Sequence, residues 1–229
     1  MYDYIIDVDQ CQHVYEDNND RLRYYWGNMN ATSNIGACMY LYRKYDFPET
    51  VQDFYSSYTS DHLPYSKEHG RNKEYLHQLA EDLAVKDCYQ LRIEDYQNYI
   101  YKKIFIDTFN GSEKEKKAKE IAESKGYTVV TPTIEDDSKY AIDFFIYKDD
   151  KLKAMIQVKA NTFFKSNNTD LVRYRLIAIE KEKKAKDVYK VPMIHLIYDK
   201  NLGEFIKNEK GKYSFQLKDL INNDGTTKH

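Results

Sequence analysis

The stretch YAIDFFIYKDDKLKAMIQVKA, residues 140–160, decides how the chain is read. Two runs rich in apolar, aromatic and β-branched residues flank a charged turn, the pattern of a β-hairpin. Asp143, Gln157 and Lys159 do not belong in such strands. Side chains alternate along a strand, so Asp143, Phe145 and Tyr147 share one side, and Met155, Gln157 and Lys159 share one side of the next strand. A three-residue loop of Asp149, Asp150 and Lys151 sets Lys148 against Leu152, Asp143 against Gln157 and Ala141 against Lys159. A two-residue loop shifts the register by one and pulls the set apart. The three-residue loop is the expectation.

In that register a carboxylate, an amide oxygen and an ammonium converge on one face. An unpaired buried charge is expensive, and a hard divalent cation with oxygen ligands satisfies it. Asp143 then supplies the anionic ligand, Gln157 a neutral carbonyl, and the backbone carbonyl of Val158 another. Lys159 faces a phosphate or the attacking water and stabilises the charge that builds up in phosphoryl transfer. The competing reading is an amphipathic hairpin whose polar side is solvated, with Lys159 paired to Asp143 as a surface salt bridge. The runs AIDFFI and MIQVKA are apolar on both faces, as in a covered central strand, and this favours a site.

Outward from the hairpin, the chain of 229 residues is long enough for one large domain or two small ones. Hydrophobic residues at 41% against 31% charged describe a soluble globular protein. No apolar run approaches the roughly 18 residues of a membrane span, and the N-terminal stretch is acidic where a signal peptide is basic, so a cytoplasmic protein is expected. Cys11, Cys38 and Cys88 are odd in number and far apart, which argues for reduced thiols rather than disulfides or a zinc cage. Residues 1–110 carry 11 Lys and Arg against 18 Asp and Glu, and residues 111–229 carry 24 against 19, so the second part is the better partner for a polyanion. The first part holds 16 of the 23 tyrosines, which read as core in preference to base-stacking platforms.

The composition shift near FNGSEKEKK divides a mainly helical region, 1–110, from a mixed α/β module, 111–229. Helical spacing marks ETVQDFYSSY, NKEYLHQLAEDLAV and DYQNYIYKKIFIDTF, with an irregular loop punctuated by Pro64 and Gly70 between the first two. The module then runs helix, strand, strand, strand, helix, strand. Ser112 and Glu115 suggest a capping box at the start of its helix, and Gly126 suggests the stop. The segment GKYSFQLKDLINN reads as a short strand and a helical turn before a frayed tail. His195, inside MIHLIY, reads as a satisfied core histidine, and the histidines show no metal-ligand spacing.

Asp143, followed after thirteen residues by Gln157-Val158-Lys159, resembles the PD-(D/E)xK nuclease superfamily, as does the order of elements over residues 111 to about 200. The resemblance implies an α/β, restriction-endonuclease-like core that hydrolyses DNA phosphodiesters with Mg2+, using Asp143 and Gln157 as ligands. It adds a glutamate from the first helix. Glu115 lines up with Ala118 and Ala122, at a distance from KGY similar to that in archaeal Holliday-junction resolvases. It is preferred to Glu113, although the capping box competes for the same side chain. No proline precedes Asp143, and Gln157 stands where glutamate is usual, which removes one negative charge from the metal site.

IQVKANTFF, together with NATSNIGACMYLY and ETVQDFYSSY, is similar to MjaI-type type II restriction endonucleases. That similarity implies a homodimer cutting a short palindromic site in double-stranded DNA, with the N-terminal region embracing the duplex. Its rivals are a structure-specific resolvase or repair nuclease of the same fold, and a non-catalytic DNA-binding protein that has lost the metal. Phosphate contacts are expected from Arg173 and Arg175 beside the polar loop KSNNTD, and from Asn161 and Thr162. Arg71 and Lys73 are candidate readers. The lysines of EKEKKAKD read as a solvated helix face.

Overall fold

The computed structural model describes residues 5–35, 37–63, 65–165 and 169–228, without the side chains of Thr32, Ser33 and Asp170. Pro64, residues 166–168 of the polar loop and His229 lie outside it, as do two side chains of the NATSN stretch. The chain divides into two compact units, Met1–Ser112 and Glu113–His229. Among the described residues no helix is long and apolar enough to cross a membrane.

The first unit is helical: α1 (Val8–Asn28), α2 (Ala31–Asn34), α3 (Cys38–Lys44), α4 (Val51–Ser60), α5 (Lys73–Lys86) and α6 (Ile93–Tyr101). The side chains of Asp7, Thr50 and Asn72 accept N–H groups at the starts of α1, α4 and α5. The tyrosines of this half go largely into the core. Tyr42, Tyr55, Tyr58, Tyr96 and Tyr99 are buried among Leu22, Leu41, Phe54, Leu76 and Phe105. Their hydroxyls are satisfied inside: Tyr42 donates to the Pro48 carbonyl at 2.7 Å, Tyr58 to Ile35 at 2.7 Å and Tyr96 to Asp87 at 2.8 Å.

Arg71, expected to read DNA, is instead a buried staple. Its Nε donates to the Asn34 carbonyl, and its Nη1 reaches the carbonyls of Ser66, His69 and Gly70 within 2.9 Å. An irregular loop leaves carbonyls without ladder partners, and a guanidinium with five fixed donors collects them.

A single π-type turn over Lys102–Ile106 joins α6 to α7 (Asp107–Glu123). This corrects the capping box: the helix starts five residues before Ser112, which lies buried within it and caps nothing. Gly126, with φ +76°, does end the segment as its residue type suggests.

The second unit is a five-stranded mixed sheet in the order β1 (Thr128–Val130), β2 (Phe144–Lys148), β3 (Lys151–Ala160), β4 (Met193–Asp199) and β5 (Glu204–Phe205). The first three strands form an antiparallel meander. β3 then pairs in parallel with β4 after a short 3-10 turn, Asn161–Phe164, and a helix at Thr169–Tyr189. A helix that the periodicity did not announce, α8 (Ile134–Tyr140), interrupts β1 and β2, making the crossover helix α9 and the last helical turn, Leu217–Leu220, α10. Its signal was present in Thr133 and Asp136, which form a reciprocal capping box.

Both faces of the sheet are covered. Ala118 of α7 packs with Phe144, Ile146, Ala154, Ile156 and Leu196 on one side. Ala185 of α9 packs with Tyr140, Phe145, Met155 and Met193 on the other. This double burial is why β2 and β3 read as apolar runs without clean alternation.

The hairpin turn has two residues, not three. Lys148 pairs with Lys151, and Asp149 and Asp150 take φ +53° and +54°, a left-handed pair whose twist suits a tight hairpin. Aspartate tolerates that backbone through local hydrogen bonding. A bulge between the Tyr147–Leu152 and Ile146–Ala154 pairs then leaves exposed Lys153 unmatched, and Phe144 comes to face Ile156. Beyond the bulge the register is therefore the one the longer loop would have given.

Nor is the tail frayed: Ile221 bridges to Thr227, and the fully buried Arg175 ties the segment down. Arg175 Nε donates to the Phe163 carbonyl at 2.7 Å and Nη1 to the Gly225 carbonyl at 3.1 Å. Its expected role as a phosphate contact is therefore corrected. Arg173, two residues away, is exposed.

Two predictions follow from these polar anchors. Arg175→Ala strands buried carbonyls at about 1–3 kcal/mol each, so the thermal midpoint should fall by several degrees, whereas Arg173→Ala should leave it within about 0.5 kcal/mol of wild type; calorimetric melts decide. Burial pushes the Asp61 carboxyl up, but hydrogen bonds from Lys44 and His69 outweigh it and help bring it from 3.8 down to about 2. The folded state then holds its proton less tightly than the unfolded chain. Asp61 thus contributes stability above pH 3.8 that is lost as pH falls towards about 2. An acid titration followed by circular dichroism should show a shallower loss in that window for Asp61→Asn.

Candidate active site

β3 is the strand around which the polar residues gather. Asp143 stands one residue before β2, where the chain leaves the ladder. Its backbone N–H donates to the Ile156 carbonyl at 2.9 Å, and its carboxylate accepts the N–H of Val158 at 2.6 Å. The expected pairing of Ala141 with Lys159 does not form, because Ala141 ends α8 in a left-handed conformation, φ +56°. Its carbonyl instead accepts Gln157 Nε2 at 2.7 Å. Gln157 is buried, and this bond fixes which end of its amide is nitrogen, turning the oxygen away from Ala141.

The electrostatics are those of a crowded, half-buried set. Burial pushes the Asp143 carboxyl up from 3.8 to about 7; the Glu115 carboxylate adds to the rise, and Lys159 and the Val158 N–H oppose it. Burial pushes the Lys159 ammonium down from its ordinary range, with Asp143 opposing and Lys181 adding to the fall. Lys159 Nζ also lies 5.3 Å from the centre of the Phe163 ring. Asp143 and Lys159 feel each other without forming a direct ion pair among the described residues, unlike the surface salt bridge of the competing reading.

Glu115 lies on α7 three residues before Ala118, which packs on the sheet, and its charge is felt at Asp143. With Ser112 inside the helix, the capping role that competed for this glutamate is gone. The structure thus brings Asp143 against Val158, with Gln157 and Lys159 on either side of it along β3, and Glu115 near enough for its charge to act on Asp143.

The other expected contacts are scattered. Thr162 is exposed, but Asn161 donates its amide to the Asp199 carboxylate, and Lys73 is half-buried in the first turn of α5. On α9, Lys183 and Lys184 are exposed, and Lys184 pairs with Glu180 at 2.6 Å: a solvated helix face. Sequence reasoning missed Glu182, which had looked like one more acid in that charged run. It is buried, and its carboxylate Oε2 lies 2.8 Å from Nε2 of the fully buried His195. Burial pushes Glu182 up, but His195 and Lys186 outweigh it and hold the carboxyl below its usual range.

The donor set fits a hard divalent cation. The Glu115 carboxylate raises the cost of ionising Asp143, which a cation would offset, and an oriented amide oxygen and the Val158 carbonyl add neutral oxygens. Among the described residues no three His, Cys, Asp or Glu side chains gather for a metal, so any cation here depends on those neutral donors. No curated protein and no solved structure matches the chain. The family model described as MjaI restriction endonuclease matches residues 22–206, a span that includes every residue of this cluster. The chain belongs to the MjaI restriction endonuclease family.

Proposed function

We propose that the protein is a Mg2+-dependent endonuclease that cuts both strands of a specific DNA site, acting as a homodimer. The observation that carries this reading is the half-buried Asp143 carboxylate, which accepts the Val158 N–H and feels the charges of both Glu115 and Lys159, an arrangement with little structural benefit of its own. Family membership supports the DNA substrate. The homodimer follows from the type II analogy alone.

Asp143, Glu115, the Gln157 oxygen and the Val158 carbonyl would hold the cation. Bound Mg2+ would supply positive charge against the extra negative charge that develops on the phosphoryl oxygens. Lys159, freed from a direct ion pair, orients the attacking water or meets a phosphate oxygen. Its lowered proton affinity suits a group that exchanges a proton with that water. Water adds to phosphorus, the phosphorus–oxygen bond to the leaving strand breaks, and the leaving oxygen takes up a proton. Thr162 and Arg173, both exposed, are the expected phosphate contacts, with Asn161 as a further one and Lys73 as a candidate reader.

Unmethylated phage or plasmid DNA, incubated with Mg2+ or EDTA, tests the reading. Wild type should give discrete fragments with Mg2+ only. Asp143→Ala should lose cleavage by at least a thousandfold while DNA affinity in EDTA stays within about threefold, because the metal carries most of the electrostatic stabilisation. A cleavage-competent Asp143→Ala protein would sink the assignment. Cutting confined to branched DNA would point to the resolvase reading, and DNA binding without any Mg2+ binding would point to a non-catalytic protein.

A further inference from the structure

Gln157 carries an amide where the PD-(D/E)xK pattern usually has a glutamate, and the sheet beside it offers a reason. On the parallel strands β3 and β4, Gln157 is the register partner of His195, two residues beyond the Met155–Met193 pair packed against Ala185 of α9. Register partners in a parallel ladder stand roughly 4.8 Å apart and point to the same face. Gln157 and His195 are therefore buried side by side under α9, with relative exposures of 3% and 0%. His195 Nε2 faces the Glu182 carboxylate at 2.8 Å, so that nitrogen carries the proton. Its Nδ1 is buried and has no hydrogen-bond partner among the described residues. A buried ring nitrogen without a partner is costly and calls for an explanation.

We propose that His195, anchored by Glu182, is a positioning residue that holds the Gln157 carboxamide with its oxygen turned toward the cation site. The proposal rests on the metal reading above. Gln157 Nε2 has two hydrogens, and Ala141 takes one. The second is the donor that the unpartnered Nδ1 lacks, carried by the residue that stands beside His195 in the ladder. With both hydrogens committed, the oxygen is the one end left for the metal. A carboxylate at 157 has no proton to give Nδ1 and would bring a second anion toward Glu182. The His195–Glu182 pair thus selects glutamine over glutamate, and the amide is a built part of the site.

Calorimetric titration of the full chain with Mg2+ in the absence of DNA tests this without relying on turnover. His195→Phe, which keeps the packing, should weaken Mg2+ binding about tenfold or more, the range seen when an outer partner of a metal ligand is removed. DNA affinity in EDTA should be unchanged. Unchanged Mg2+ affinity in a folded His195→Phe protein overturns the inference and leaves the metal reading standing. Failure of wild type to bind Mg2+ overturns both. Should the variant not fold, nitrogen NMR of His195 in wild type decides: Nδ1 should move on Mg2+ addition toward the position of a hydrogen-bonded acceptor, and an unmoved resonance refutes the role.

Discussion

A strand covered on both faces cannot carry a polar side chain without giving it a partner, and beyond its exposed start β3 carries two, Gln157 and Lys159. Leaving an amide unbonded in such a place costs about 1–3 kcal/mol, comparable to what a buried Ile or Met side chain contributes. The surroundings answer residue by residue. Ala141 turns left-handed at the end of α8 and presents its carbonyl to Gln157. Asp143 leaves the ladder and receives the Val158 N–H. Even α8, unexpected between two strands, belongs to this arrangement, since the residue that caps its C-terminus supplies that carbonyl.

What these bonds do not neutralise is charge. Glu115 adds to the cost of ionising Asp143, and Lys159 opposes it. Holding a half-buried carboxylate this way costs free energy that a folded protein could have avoided with an apolar residue of similar volume. In the proposed reading that cost would be recovered by a cation or a developing transition-state charge. Stability and chemistry thus pull in opposite directions on the same three side chains, a common signature of catalytic sites.

The α/β class, the meander followed by a parallel strand, and the Asp143–Gln157–Lys159 set were legible because strand alternation and double-sided burial leave strong marks in the sequence. The turn was not. Two aspartates in a row do not announce a left-handed pair, and a bulge at Lys153 has no composition signal, so the right pairing was reached through the wrong loop. Arg71 and Arg175 misled because arginine on a polar stretch looks the same whether it faces phosphate or gathers carbonyls from its own chain. Asn-Gly-Ser looked like a helix start because weak helix formers favour caps, yet packing carried α7 straight through them. The Glu182–His195 contact pairs residues thirteen apart on different elements, which no local pattern can reveal.

The bulge in the hairpin bears on how such a motif can drift. Alternation makes a strand a counter with two states, so what matters between Asp143 and Lys159 is parity rather than length. Two turn residues and one bulged residue place side chains on the same faces as three turn residues and none. Single insertions are tolerated in pairs, or when a bulge appears or dissolves to offset them, and the linker can lengthen by two without moving a catalytic atom to the wrong face. The spacing in the motif is therefore a sum of separate local choices, and a search demanding one fixed gap would overlook relatives whose sites are built alike.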